Sequence, residues 1–274
     1  RLLSANRPAC VVSFGGYAAA PGGIAAWTRG IPVLVHEQNR IPGMTNRLLA
    51  HFSRRILQGF PGTFPGSMSP IDCGNPVRRE VAALPDPQVR LAERAGPIRV
   101  LITGGSQGAQ VLNQTVPEAF KLLSALPTVE IRHQAGAKQL DEAVDAYAKS
   151  GVQADIKPFI TDMAEAYGWA DLVICRSGAL TVAELAAAGV ASVLVPYAHA
   201  VDDHQTRNAE YLSSADAAEI LPQASLNAET LAAVLEDLLK DRDKLLDMAK
   251  AARQLALPDA AESVVAACDE WIRV

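Results

Sequence analysis

The stretch LITGGSQGAQVLNQ, residues 101–114, decides the fold because an apolar run passes through three glycines into an amphipathic segment. Glycine has no Cβ, so such a turn lets backbone N–H groups approach a phosphate at the N-terminus of a helix. The spacing is neither G-x-G-x-x-G nor that of a P-loop, which also needs a Lys followed by Ser or Thr. The pattern therefore predicts a strand, a turn and a helix. It leaves open whether the turn binds a phosphate or is only a tight connection.

The same alternation continues towards the C-terminus. Strands are predicted at residues 98–103, 129–133, 172–175 and 192–195, and helices near residues 109–126, 138–150, 181–188 and 204–213. Strands that alternate with helices form a parallel sheet, so we expect an α/β doubly wound unit. The tail after residue 226 is rich in Ala, Leu, Asp and Lys and predicts further helices, with a break at Pro258.

The first seventy residues predict a second α/β unit. Its strands are expected at residues 9–14, 32–36 and 55–58, and its helices at residues 22–29 and 44–52. Residues 60–76, FPGTFPGSMSPIDCGNP, are dense in Pro and Gly and indicate a linker or a loop at a cleft edge. We therefore expect one domain at residues 1–75, linker included, and another at residues 76–274 that includes the C-terminal helices. The chain starts with Arg1 and enters a strand early, so we expect the N-terminal domain to be incomplete.

Composition narrows the function classes. The net charge of −5 gives no reason to expect nucleic-acid binding, and the four cysteines are far apart and lack zinc-type spacing, as in a cytosolic protein. The five histidines show no metal-binding pattern, so we expect neither a metal nor a cofactor. No apolar stretch reaches the roughly 18–20 residues that span a bilayer. Because the net charge is negative, an anionic ligand must be held by local groups.

Ligands of open α/β sheets bind beyond the carboxyl ends of the strands, and two polar segments occupy such places. HEQN at residues 36–39 follows a predicted strand and suits sugar hydroxyls or an acetamido group, although a polar loop before the next helix would look the same. In GNPVRRE, Arg78 lies two residues after Pro76. Its guanidinium could bind a phosphate through two hydrogen bonds, or it could be an ordinary surface arginine.

Two further segments follow the strands of the second unit. CRSGALTVAELAAAG, residues 175–189, turns into a helix predicted to begin near Thr181, whose N-terminus suits a diphosphate. Glu184, placed in the first turn, could accept hydrogen bonds from a ribose diol or could merely complement the helix dipole as part of a capping box. PYAHAVDDHQTRNAE, residues 196–210, adds Gln205 and Asn208, with Asp203 as the expected N-cap.

Taken together, these segments resemble the MurG family of peptidoglycan N-acetylglucosaminyltransferases. The matching motifs span residues 15–212 in the family's order: GGYAAAPGGIAAW, GIPVLVHEQN, GMTNRLLA, GNPVRREV, GGSQGAQVLNQ, CRSGALTVAELAAAG and DDHQTRNAEYL. The resemblance implies the GT-B arrangement, in which two Rossmann-like domains face each other across a cleft. It also implies catalysis without a metal.

The resemblance further assigns donor contacts to positions of this sequence. For UDP-GlcNAc, these are Asn39 for the GlcNAc, Arg78 and Ser106 for the diphosphate, Ile160 for the uracil, Ala179, Leu180, Thr181, Val182, Ala183 and Glu184 for phosphate, sugar and ribose, and Gln205 for the sugar. The family's general base is thought to lie in an N-terminal glycine-rich loop with a histidine, which has no counterpart after Arg1. His36 and Glu37 are the candidate bases within this sequence.

The function implied is an inverting transfer of GlcNAc from UDP-GlcNAc to the C4 hydroxyl of MurNAc in lipid I, which gives lipid II for peptidoglycan. Such an enzyme would act as a peripheral protein at the cytoplasmic side of the inner membrane. Trp27, together with Arg47, Arg54 and Arg55, could contact that anionic surface, or Trp27 could be part of the core. Two alternatives stay open. One is a non-catalytic UDP-sugar-binding half that needs a partner, and the other is an enzyme like the UDP-GlcNAc epimerases.

Overall fold

The computed structural model describes residues 2–105, 107–123, 128–197 and 203–272. The chain divides into two compact units. Unit 1 comprises Arg1–Val77 and Leu257–Val274, and unit 2 comprises Arg78–Ala256. Each unit is built around its own parallel sheet, as the sequence predicts.

Ten strands are formed by the described residues. They are β1 Val11–Ser13, β2 Val33–Glu37, β3 Arg55–Gln58, β4 Ile71–Asp72, β5 Ile98–Thr103, β6 Val129–Gln134, β7 Asp155–Lys157, β8 Leu172–Cys175, β9 Ala191–Leu194 and β10 Ala218–Ile220. The first four form the sheet of unit 1 in the order β1-β2-β3-β4, and the other six form the sheet of unit 2 in the order β10-β9-β8-β5-β6-β7. All neighbouring strands are parallel.

The α-helices of the described residues follow the same alternation. They are α1 Leu2–Asn6, α2 Ala19–Trp27, α3 Met44–Ala50, α4 Arg79–Ala82, α5 Pro87–Leu91, α6 Gln110–Leu122, α7 Leu140–Ser150, α8 Met163–Trp169, α9 Ala179–Ala188, α10 His204–Ser213, α11 Ala228–Leu239, α12 Arg242–Gln254 and α13 Ala260–Asp269. Within the part of the chain that is described, none of these helices has the length and apolar character needed to cross a membrane.

The sheet of unit 1 is covered on both faces, and this explains why the last helix belongs to it. Successive residues of a strand point to opposite faces. Val35 therefore packs with α3 residues on one face, whereas Leu34 and Leu57 pack with Ala267 of α13 on the other. The sequence predicts that the C-terminal helices belong to the second domain. The structure corrects this for α13, because its apolar side covers β2 and β3.

Residues 60–76 also differ from the linker that their composition indicates. Phe60 and Phe64 are buried in unit 1, and the backbone N–H of Phe64 donates to the side chain of Gln58 at 2.8 Å. The segment then forms β4, which pairs with β3 at the edge of the sheet. An edge position tolerates the prolines on either side of it, because Pro cannot donate to a neighbouring strand. The segment is therefore an integral part of the first unit, with Phe60 and Phe64 in its core and β4 at the exposed edge of its sheet.

The sheet of unit 2 has its topological switch point between β5 and β8. The chain starts at the central strand β5, proceeds outwards through β6 and β7, and then returns to the other side of β5 as β8, β9 and β10. The loops that follow β5 and β8 therefore diverge and leave a crevice at the carboxyl ends of the two strands. β5 and β8 occupy the residues predicted for them, whereas β7 and β10 were not predicted.

Candidate functional site

A pocket of about 910 Å³ lies at this switch point, and all the residues that line it belong to unit 2. Its walls come from the loops that follow β5, β6, β7, β8 and β9, and from the start of α9. The carboxyl edge of a doubly wound sheet is where such folds bind nucleotides. The candidate site therefore lies beyond the carboxyl ends of the strands of unit 2, which is where the sequence predicts a ligand.

The glycine-rich turn between β5 and α6 forms one wall. Gly105 and Gly108 have φ angles of +79° and +75°, a region that suits glycine. A Cβ on Gly108 would overlap the carbonyl oxygen of Ala135, and a Cβ on Gly136 would lie 2.7 Å from the carbonyl oxygen of Gln107. The glycines thus allow two loops to pack closely, and the turn is both a tight connection and a pocket wall. Ser106, predicted to contact the diphosphate, lies outside the described residues.

Gln134 ties this turn to a second part of the pocket. Its side chain is buried, with Nε2 donating to the carbonyl oxygen of Gly105 at 2.9 Å and Oε1 accepting from the N–H of Ile160 at 2.8 Å. One carboxamide therefore fixes both the glycine-rich turn and the residue predicted to contact a uracil. Gln134 is not among the predicted site residues, because the predicted strand ends at His133, one residue before β6 ends.

Helix α9 directs its N-terminus into the pocket. It begins at Ala179 after the extended N-cap residue Gly178, two residues earlier than predicted, and no side chain caps it. The first backbone N–H groups of a helix have no acceptor within it and carry partial positive charge, which suits a phosphate. Because of the early start, Glu184 lies in the second turn. The structure therefore removes the alternative that Glu184 belongs to a capping box with Thr181.

Glu184 is the centre of a small polar network. Its Oε1 accepts from Nε and Nη2 of Arg78 at 3.1 and 2.8 Å, and its Oε2 accepts from the hydroxyl of Tyr167 at 3.1 Å. The side chain of Arg78 is 48% exposed and that of Glu184 is 17% exposed. Two residues with separate predicted roles, on a diphosphate and on a ribose, thus bind each other, and all three side chains line the pocket.

The opposite wall is formed after β8 and β9. Nη1 of Arg176 donates to the carbonyl oxygen of Val195 at 3.1 Å, and its guanidinium lies 5.4 Å from the ring centroid of Tyr197. Burial lowers the pKa of Arg176 from its ordinary value. The backbone N–H of Tyr197 donates to Oε1 of Gln205 at 2.9 Å. Arg176 adds a cation to the pocket, and Gln205 fixes the loop beside it.

The predicted donor contacts that belong to the described residues of unit 2 divide into two groups. Arg78, Ile160, Thr181, Glu184 and Gln205 line the pocket. The side chains of the other predicted α9 residues do not line it, since Val182 is fully buried in the core and Leu180 is 53% exposed; Ala179 and Leu180 nevertheless supply the first backbone N–H groups of the helix.

The candidate bases His36 and Glu37 lie in unit 1 and are buried. Nε2 of His36 lies 3.0 Å from the carbonyl oxygen of Gly74, and burial lowers the pKa of His36. Glu37 accepts from the N–H groups of Asn39 and Gly43 at 3.0 Å each, and from the side chain of Asn46 at 2.9 Å. A carboxylate with this many donors anchors the loop that leads into α3.

Asn39 takes part in the same anchor, since its Nδ2 donates to Glu37 at 3.3 Å. The structure therefore supports the alternative reading of residues 36–39 as a polar loop before a helix. It counts against His36 and Glu37 as bases, because their polar atoms are already engaged inside the unit. Among the described residues, no three His, Cys, Asp or Glu side chains are grouped as metal ligands.

Comparisons with known proteins agree with this geometry. The family profile "Glycosyltransferase family 28 C-terminal domain" matches residues 99–264, and "Glycosyltransferase family 28 N-terminal domain" matches residues 1–58. Two curated relatives carry the name UDP-N-acetylglucosamine--N-acetylmuramyl-(pentapeptide) pyrophosphoryl-undecaprenol N-acetylglucosamine transferase. The one from Xanthomonas euvesicatoria is 60% identical over 96% of this chain, and the one from Marinobacter nauticus is 56% identical over 96%. The chain spans 60% of the length of the former and 73% of the latter.

Solved structures extend the comparison. The crystal structure of Acinetobacter baumannii MurG matches with a TM-score of 0.90 and 40% identity, covering 98% of this chain and 76% of that one. A UDP-GlcNAc 2-epimerase from Neisseria meningitidis, solved with bound UDP-GlcNAc, matches with a TM-score of 0.69 at 14% identity, covering 98% of this chain and 78% of that one. The latter likeness is one of fold alone.

Proposed function

Because the chain belongs to glycosyltransferase family 28 and has its GT-B fold, we propose that the unit 2 pocket binds UDP-GlcNAc and that the chain transfers its GlcNAc to lipid I. The observation that carries the proposal is the identity of 56–60% with curated relatives whose name states this transfer. The position of the pocket at the switch point of unit 2 supports it independently. The epimerase alternative is not favoured, because its support is a likeness of fold at 14% identity.

In the proposed reaction, the C4 hydroxyl of MurNAc attacks the anomeric carbon of GlcNAc with inversion, and UDP leaves. The negative charge that develops on the diphosphate is stabilised by the N-terminus of α9 and by Arg78. These groups are backbone N–H donors and a guanidinium, so we expect no metal requirement. The attacking hydroxyl needs a base. We do not assign that role to His36 or Glu37, since both are buried and hydrogen-bonded within unit 1.

The remaining donor contacts are proposals that rest on the family resemblance. Glu184 accepts from the ribose, Ile160 contacts the uracil, and Gln205 and Asn39 contact the sugar. The pocket is lined by Glu184, Ile160 and Gln205, and this supports the assignments of these three residues. Ser106 keeps its proposed place at the diphosphate on the resemblance alone.

We further propose that unit 1 meets an anionic membrane surface, where a lipid-linked acceptor would be found. α2 and α3 carry large exposed apolar side chains: Tyr17 just before α2 is 93% exposed, Trp27 49%, Met44 86% and Leu48 45%. Arg47 and Arg54 are exposed close to them in the chain, whereas Arg55 pairs with Glu270 at 2.8 Å. Exposed aromatic and basic side chains together favour binding to anionic lipid.

Liposome sedimentation tests the membrane proposal. Trp27 packs against Phe52 with ring centroids 4.8 Å apart, yet half of its surface remains exposed. Trp27→Ala should reduce the fraction bound to anionic vesicles without changing binding to neutral ones. Equal sedimentation of the variant and the parent would remove Trp27 from the proposed surface.

Transfer of labelled GlcNAc to a lipid I analogue tests the proposed reaction. We expect acceptor-dependent release of UDP and a GlcNAc-containing product of inverted configuration. Binding of UDP-GlcNAc without transfer would instead identify a non-catalytic binding half. Formation of an epimer without acceptor would identify an epimerase.

A further inference from the structure

Tyr167 is a buried tyrosine whose hydroxyl reaches the pocket. It lies on α8 and is 1% exposed, and its hydroxyl donates to Oε2 of Glu184 at 3.1 Å. Burial and the nearby Glu184 carboxylate raise the pKa of Tyr167 well above its ordinary value. The phenol is therefore protonated at neutral pH and keeps its hydrogen to donate.

The two partners of Glu184 differ in how firmly they hold it. Arg78 approaches Oε1 with a side chain that is 48% exposed, and long exposed side chains gain little from ion pairs because they lose conformational freedom. Tyr167 approaches Oε2 from the core, where packing already fixes its ring. The orientation of the carboxylate is therefore set from the Tyr167 side.

A carboxylate that is fixed by one buried donor still has capacity for others. Each oxygen accepts about two hydrogen bonds. Oε1 receives two N–H groups from Arg78, and Oε2 receives the hydroxyl of Tyr167. A ligand hydroxyl can add to Oε2, and it can replace Arg78 at Oε1. The plane of the carboxylate stays in place during either event as long as the phenol holds it.

We propose that Tyr167 is a positioning residue that orients Glu184 to accept hydrogen bonds from the ribose hydroxyls of the nucleotide, an inference that rests on the proposed function. Tyr167 itself makes no contact with the ribose. Its effect is that Glu184 is already oriented before the ligand arrives, so less conformational freedom is lost on binding.

Unit 2 contains a matched control. Tyr147 on α7 is 2% exposed, and its hydroxyl makes a hydrogen bond of 2.9 Å with Nδ1 of His133. Tyr147 does not line the pocket. Tyr167→Phe and Tyr147→Phe therefore each remove one buried hydroxyl and one hydrogen bond, and only the first does so beside Glu184. Similar melting temperatures for the two variants would show that both fold.

The experiment is calorimetric titration of the full chain and both variants with UDP and with 2′,3′-dideoxy-UDP. We expect the parent to bind UDP more tightly than the dideoxy compound. Tyr167→Phe should weaken UDP binding by about two- to tenfold, the scale of the conformational freedom that one side chain loses when a ligand orders it, and leave the dideoxy compound unchanged. Tyr147→Phe should change neither. In a Glu184→Gln background, Tyr167→Phe should add little, because its effect acts through Glu184.

Other outcomes overturn the inference in distinguishable ways. An equal loss for both ligands would show a general structural role for Tyr167, and no loss for either would show no role. A parent that binds the two compounds equally would remove Glu184 from the ribose. A parent that binds neither would contradict the proposed function itself.

Discussion

The ion pair between Arg78 and Glu184 makes a quantitative prediction about Glu184→Gln. Nε and Nη2 of Arg78 both donate to Oε1 of Glu184, and the shorter of the two hydrogen bonds is 2.8 Å. If Arg78 binds a diphosphate and Glu184 binds a ribose, the ion pair occupies the N–H groups and the carboxylate oxygen that these ligands need. The amide of Gln keeps the size of the side chain and removes its charge. Glu184→Gln should therefore release Arg78 for an anion and weaken the contact with the ribose.

The exposure of the pair sets the magnitude of the change. Exposed ion pairs contribute about 0.2–1 kcal/mol, and Arg78 and Glu184 are 48% and 17% exposed, so we take the upper end, about 1 kcal/mol. Pyrophosphate should then bind about fivefold more tightly to Glu184→Gln. A charged hydrogen bond is worth about 1.5–3 kcal/mol, so uridine should bind at least about tenfold more weakly. UDP should weaken by less than uridine does, because the two effects oppose each other.

The assay measures pyrophosphate and uridine separately, by calorimetry or by chemical-shift titration. Glu165→Gln is the matched control for charge, because Glu165 pairs with Arg132 at 2.8 Å and has no contact with Arg78 among those described. The double variant Arg78→Ala with Glu184→Gln shows whether tighter pyrophosphate binding depends on the released Arg78 or only on the loss of a negative charge from the pocket. Tighter pyrophosphate binding that persists without Arg78, or that Glu165→Gln reproduces, would refute the reasoning.

Three further predictions concern stability and the turn. Burial lowers the pKa of His133 from 6.5 to about 3, so unit 2 should lose stability as the pH falls from about 6.5 towards 3, because the unfolded chain takes up the proton first. Denaturant titrations should show this loss, and His133→Gln should reduce it. Gly108→Ala should destabilise far more than Gly105→Ala, since both have positive φ but only the first meets backbone atoms in the described residues; equal melting temperatures would contradict this. Asp171→Ala should cost about 3 kcal/mol, because it leaves the partly buried Arg94 guanidinium without its carboxylate partner and the backbone N–H of Arg99 without its acceptor, and a loss under about 1 kcal/mol in a denaturation curve would contradict this.

The sequence predicts the central strands of the unit 2 sheet better than its two edge strands. β5 and β8 are apolar runs buried on both faces of a sheet, so their ends are marked by a clear change of composition. β7 and β10 have three residues each, with the sequences DIK and AEI, and their partly exposed pattern does not distinguish a strand from a loop. Pairing with β6 and β9 makes them strands, and that pairing depends on the tertiary fold.

The candidate site likewise combines local features that the sequence predicts with long-range contacts that it does not predict. The glycine-rich turn and the N-terminus of α9 are local features, and composition marks both. The contact between Arg78 and Glu184 joins residues 106 positions apart, and no spacing rule predicts it. Asp203 shows that sequence spacing can also fail to predict a contact between residues that are close in the chain. It precedes α10 as predicted, but its φ is +52° and its side chain accepts from the hydroxyl of Thr206 rather than from a backbone N–H.

The most direct test of the unit 2 pocket as the donor site is calorimetric titration of the chain with UDP-GlcNAc in the presence of EDTA, compared with an ADP-sugar. We predict binding of UDP-GlcNAc that EDTA does not weaken, because the pocket offers backbone N–H groups, Arg78 and polar side chains. The ADP-sugar should bind more weakly. Strict dependence on a divalent metal, or equal affinity for the two nucleotide sugars, would contradict the account.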